Sequence, residues 1–261
     1  MADITITKDA ELDQLRPDER LGLEPEARIA LDIQNKRKNM VMGFDLSAIP
    51  LGSRINEAKL TLVNINRSDV DVVIYPLITE WDELTVSWND PWQNQKGGDF
   101  VTNPSINTTL QGRNRATEIN IIPLVEYWIK ANYPQYGIVF QAINSNTEAK
   151  IYTKDAPNNQ LSLIINYTPA TPTDQIDAGY TQIQALPDSD FFMNRGDIAK
   201  RIFKRLSNTS KILISRGLNN QAKIILNTII RFMDGSGFDL IINPVSRDRI
   251  RPFYEQAKAN L

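Results

Sequence analysis

Over its first 168 residues the chain sets apolar side chains at alternate positions in short runs, and breaks those runs with turn residues. Ala58-Lys-Leu-Thr-Leu-Val63 shows the pattern most clearly. Leu60 and Leu62 fall on one face, Lys59 and Thr61 on the other, as a half-buried strand requires. Ile29–Ile33, Met40–Leu46, Val70–Tyr75, Gly137–Phe140, Ala149–Tyr152 and Leu161–Tyr167 read the same way, with Pro76 marking an end or an edge. The separators Ile49-Pro-Leu-Gly52, Gln95-Lys-Gly-Gly98 and Ala156-Pro-Asn-Asn159 have turn chemistry. One helix interrupts the series at 122–130, where Pro123 suits a first turn and Leu124, Tyr127 and Trp128 share a face. Many short strands with turn-type breaks predict an antiparallel β-sandwich or jelly roll.

The period changes after Thr168. Residues 169–174, rich in Pro and Thr, read as an extended linker. Asp197–Leu206 predicts an amphipathic helix, with Asn194 or Asp197 near its start. A second helix is expected over Gln221–Met233, a strand over Phe238–Asn243 and a short terminal helix over Pro252–Ala259. The expected plan is mainly β: a sandwich over 1–168, a linker at 169–174, and a smaller helix-rich α+β region over 175–261. Charge divides along the same line. Residues 1–168 hold 16 basic against 22 acidic side chains, a balance of −6, and residues 169–261 hold 13 against 9, a balance of +4.

The chain has no histidine and no cysteine. Imidazole bases, thiolate nucleophiles, disulfides and Cys/His zinc sites are all excluded. Glu80, Asp82 and Glu83 are neighbouring acids in a turn, where capping is commoner than catalysis, since a glycosidase needs carboxylates ~5–10 Å apart across a cleft. Asp155, Asn158 and Asn159 offer few oxygens against the 6–8 that calcium takes, and read as a plain turn. Lys200, Arg201, Lys204 and Arg205 follow no phosphate loop and have no interleaved aromatics, so they read as a solvated or protein-facing surface. The expectation is therefore no catalytic residue, cofactor, metal or nucleic-acid partner. No apolar run approaches the ~20 residues of a membrane helix. The polar start Ala2-Asp-Ile-Thr5 predicts no secretory signal, hence synthesis in a cytoplasm.

Several spaced elements stand out together. They are Phe44-Asp-Leu-Ser-Ala-Ile-Pro50 with Gly52 and Ser53; Thr79-Glu-Trp-Asp-Glu83 with Trp88 and Pro91; Ile119-Asn-Ile with Leu124 and Trp128; Tyr136-Gly-Ile-Val139; and Pro157 with Leu161–Tyr167. In this order the series resembles the DNRLRE-type β-sandwich family over about residues 3–168. The resemblance implies a carbohydrate-binding or wall-associated module with Trp81 and Trp88 in a structural role. Two features depart from the family: Arg20-Leu21-Gly22 stands where an Asn-aromatic-Gly is usual, and the segment from Glu24 to Lys38 is heavily charged.

Any glycan contact is expected on aromatics outside the core, namely Trp92 and Tyr133. Ile198, Ile202, Phe203, Leu206, Ile229 and Phe232 are expected to form an interface, because a region of this size buries only a modest core. A surface-type sandwich without an export signal predicts a non-enzymatic virion component of a bacteriophage: a decoration, neck, fibre or baseplate protein. Its partners would be other virion proteins or copies of itself, and a surface glycan. The alternative is a carbohydrate-binding module of a bacterial cell-surface or polysaccharide-processing system.

Overall fold

The computed structural model describes residues 2–157 and 161–261. The chain divides into two compact units. One is built from Met1–Ala48, Ile55–Glu126 and Pro134–Asn166, the other from Ile49–Arg54, Tyr127–Tyr133 and Tyr167–Leu261.

The first unit is an antiparallel β-sandwich. Its strands are β1 (Ala2–Ile4), β2 (Ile6–Asp13), β3 (Glu26–Leu31), β4 (Arg37–Phe44), β5 (Arg54–Asn64), β6 (Val70–Pro76), β7 (Ile106–Leu110), β8 (Arg115–Asn120), β9 (Ile138–Ala142), β10 (Thr147–Tyr152) and β11 (Ser162–Thr168), with helix α1 (Ile122–Ile129) between β8 and β9. β4 is where the layers diverge. β2 pairs along one edge of it, from Asp13↔Lys38 to Ile6↔Phe44. The other edge is shared: β3 pairs at Arg37 and Lys38, β9 from Met40 to Met42. From there β9 leads to β6 and β7, while β3 leads through β10 to β5, β11 and β1.

Alternation puts apolar side chains inward. Phe44, Leu60, Leu62 and Phe140 are buried, and so are Trp81, Trp88 and Trp128. Trp81, Trp88 and Trp92 pack with Ala10, Leu12, Val41, Leu77, Val86 and Val139 in one apolar cluster. Two close approaches hold the loops around it. A Cβ on Gly22 would lie 2.0 Å from the Glu83 carbonyl oxygen. Gly97, in the left-handed region, lets the chain pass the face of Trp88.

Helices α2 (Pro172–Ala185), α3 (Gly196–Ser215), α4 (Asn219–Arg231) and α5 (Pro244–Ala259) form the body of the second unit. Ile176, Ile183, Phe191, Phe203, Leu226, Ile229, Ile250 and Tyr254 make its core. Three sequence expectations change here. The linker over 169–174 is largely absent, because Thr171 caps α2 and Pro172 occupies its first turn. The expected strand over Phe238–Asn243 reduces to a single bridge, Ile241 to Phe191, with Phe238 in the open. The terminal helix starts at Pro244 rather than Pro252, since the Asn243 side chain accepts from the amides of Val245 and Ser246 and so supplies an earlier N-cap.

Candidate functional site

Alternation along β2 produces an unusual strand. Ala10 and Leu12 point into the tryptophan cluster, while Asp9, Glu11 and Asp13 occupy the opposite face, buried as well. Buried carboxylates persist only when compensated. For Glu11 the compensation is a fork from Arg28, whose Nε lies 2.9 Å from Oε2 and whose Nη2 lies 2.8 Å from Oε1, with the Arg28 amide adding a third bond. The pairing raises Arg28 above its ordinary value. Asp13 receives Arg16 Nε at 2.9 Å, the Leu15 amide at 2.9 Å and Lys38 Nζ at 3.4 Å. Burial pushes Asp13 up, but these donors outweigh it and hold the carboxyl below its usual range.

Asp9 is different. Its Oδ2 accepts the Lys154 amide at 2.8 Å and its own amide donates to Glu83 Oε1 at 2.8 Å. Burial pushes the Asp9 carboxyl up to about 6; the Lys154 amide opposes this, and the nearby charges of Glu83 and Asp155 add to it.

Beside Glu11 and Arg28 the surface opens into a groove of about 470 Å³. Its walls carry Arg16 and Glu19, paired at 2.6 Å, then Glu24, the ion pair of Glu26 with Lys150, and Asn66 donating to Glu148 at 3.2 Å. Leu21 and Pro25 complete the lining, and no aromatic side chain is among the described lining residues. The groove thus offers carboxylate acceptors and guanidinium, ammonium and amide donors at fixed positions, which suits polyhydroxylated ligands.

The residues singled out from sequence lie elsewhere. Trp92 is 5% exposed, and its Nε1 donates to the Ser87 carbonyl at 2.8 Å. The expectation of an exposed Trp92 is corrected: the ring joins Trp81 and Trp88 in the core, and neither face is free to stack. Tyr133 belongs to the other unit and is 37% exposed, but its ring stacks on Tyr127 at 4.2 Å and lies under Arg249 at 4.6 Å. Asp82 accepts from the Leu84 amide within its own turn, while Glu83 turns to Asp9, so the two acids serve separate contacts. Asn158 and Asn159, read from sequence as part of a plain turn with Asp155, lie outside the described residues.

The expected interface stripe is largely spent inside its own unit. Phe203 and Ile229 are fully buried core residues, with Leu206 and Phe232 packed against that core; Ile202 is half-buried and Ile198 is exposed. Four helices close a core that one or two could not. The basic face is also engaged: Lys200 Nζ donates to the Leu186 carbonyl and sits over Phe191, and Arg201 pairs with Asp197.

The family model of carbohydrate-binding module family 96 matches residues 1–167. The chain belongs to this family. The matched span includes every residue of the groove and of the acidic face of β2, so this polar surface lies within the family 96 module. No curated protein matches the chain. The groove residues escaped the sequence reading because acids on a strand read as solvated. The signal that could have found them was the strict interleaving of Asp9, Glu11 and Asp13 with Ala10 and Leu12.

Proposed function

We propose that the sandwich binds a hydroxyl-rich, uncharged glycan chain in the groove beside Glu11 and Arg28. The observation that carries this reading is the lining itself: five glutamates face Arg16, Arg28 and Lys150, and each of the three cations is paired with a carboxylate. A polyuronate or sulfated chain would meet surplus negative charge there and find its cationic partners already engaged. Neutral sugar hydroxyls can instead donate to the carboxylates and accept from Asn66 and the rims of the ion pairs. Without aromatic platforms, recognition rests on hydrogen bonds, in line with a shallow, moderate-affinity site. In this reading the module binds without cleaving: its buried carboxylate Glu11 is held in a fork by Arg28 and is not free to act as acid or nucleophile.

In this reading the DNRLRE-type resemblance describes the sandwich, and residues 175–261 are an attachment region. The carrier is a bacterial surface or polysaccharide-processing assembly. A phage carrier would instead appear as stoichiometric presence of the chain in purified particles by mass spectrometry.

The test is calorimetry on the full chain against neutral and polyuronate oligosaccharides, guided by a glycan array. Glu24→Ala combined with Glu148→Ala removes two exposed acceptors, and at least a tenfold loss of neutral-glycan affinity is expected with an unchanged melting curve. Preference for polyuronates, or affinity indifferent to the double variant, overturns the assignment.

A further inference from the structure

On the acidic face of β2, two of the three carboxylates have a cation and the third does not. Glu11 is forked by Arg28, and Asp13 meets Arg16 and Lys38. Asp9 is fully buried and meets further carboxylates instead: oxygens of Asp9, Glu83 and Asp155 lie within 4.8 Å of one another. Its Oδ1 has no hydrogen-bond partner among the described residues. A buried carboxylate oxygen without a donor is an unmet demand for positive charge.

Two lysines lie nearby, and neither meets that demand. Lys8 Nζ donates to the Trp81 carbonyl and lies over the Trp81 ring. Lys154 Nζ bridges Glu83 Oε2 at 3.1 Å and Asp155 Oδ1 at 3.0 Å, and makes no ion pair with Asp9 among the described residues. Without the Lys154 ammonium the three carboxylates carry −3, most of which one divalent cation offsets.

We propose that Asp9, Glu83 and Asp155 bind one calcium ion, which displaces the ammonium of Lys154. The donor set is all oxygen, which selects hard cations. Ligand character selects among them: calcium accepts several carboxylates in irregular geometry, whereas magnesium demands near-ideal octahedral geometry and is usually held by one or two carboxylates with several waters. The site is prepared on the inner side, where the Asp9 amide holds Glu83 Oε1 at 2.8 Å and leaves Oε2 for the ion. Asp155 is on the surface and gives the ion its way in. Water completes the 6–8 oxygens that calcium takes.

The experiment uses the full chain, stripped with a chelator and dialysed, then titrated with calcium chloride by calorimetry and melted with and without calcium. The expected result is one calcium per chain and a higher melting temperature with the ion. Asp155→Asn, at an exposed position that leaves the fold intact, weakens binding at least tenfold without altering the calcium-free melt. Asp9→Asn abolishes the calcium-dependent shift. Absence of calcium heat and of any shift in the parent chain overturns the proposal. So does calcium binding that Asp155→Asn leaves unchanged, or magnesium binding as tight as calcium binding.

Discussion

Asp99 holds the turn that follows Trp92. Its buried carboxylate accepts from the amides of Gln93, Asn94 and Gln95 and from the Thr79 hydroxyl. Burial by itself would raise the carboxyl, but these donors outweigh it and hold it below its ordinary value of 3.8. A depressed folded-state value adds stability that is full above the unfolded value and fades as the pH falls through the folded one. Asp99→Asn presents an amide to the donors and removes the charge, so a loss of roughly 2–4 kcal/mol is expected at neutral pH. Denaturant melts of both proteins between pH 7 and pH 2 check this: the gap between them narrows below about pH 4. A gap constant across that range contradicts the role. Gly22 makes a complementary point. It is the retained member of an otherwise altered Arg20-Leu21-Gly22, and it is the position at which a Cβ would strike the Glu83 carbonyl. The side chains around a close approach can change, whereas the missing Cβ cannot be supplied.

At the scale of elements, α2 shows how much one boundary depends on its cap. Thr171 Oγ1 accepts from the Asp174 amide, and the Asp174 side chain accepts from the Thr171 amide, a reciprocal box closed by Pro172. Thr171→Ala is expected to cost about 1 kcal/mol, read as a lower thermal midpoint with native helix content retained. Equal midpoints would show the box to be redundant. The same motif explains a misreading, because Thr-Pro-Thr-Asp resembles an extended spacer by composition but works as a helix start by position. Strands were legible where one face is apolar and the other polar, as in β5, whose Leu60 and Leu62 alternate with Lys59 and Thr61. β2 was not legible, because both its faces are buried and one of them is acidic. Propensity reads Asp and Glu as solvated; here Arg28 and Lys38, from distant positions, join the nearby Arg16 in compensating them, and no local pattern announces the two remote partners. The candidate groove inherits that opacity. The aromatics misled in the opposite direction, since Trp92 lies next to Pro91 in a turn-rich stretch yet is fixed inward by its bond to Ser87.

For the whole molecule, the informative feature is how the second unit is assembled. It includes Ile49–Arg54 and Tyr127–Tyr133 as well as everything from Tyr167 onward. Within it Leu51 donates its amide to Gln256, Asn132 donates to the Arg249 carbonyl at 2.7 Å, and the Ala170 amide reaches Ser53. A chain ending at Thr168 keeps the two inserted segments and loses their partners. Limited chymotrypsin digestion is expected to cut such a chain at Tyr127, Trp128 or Tyr133 and to leave the full chain intact there, while the strands around Leu60 and Leu62 stay protected in both. Identical digestion patterns would contradict this. For anyone who wishes to graft the module onto another protein, the family match, which stops at residue 167, is a misleading place to cut. The border of the sandwich is crossed five times by the backbone, and a donor fragment trimmed at the last crossing arrives with two raw edges that only its own helices can cover.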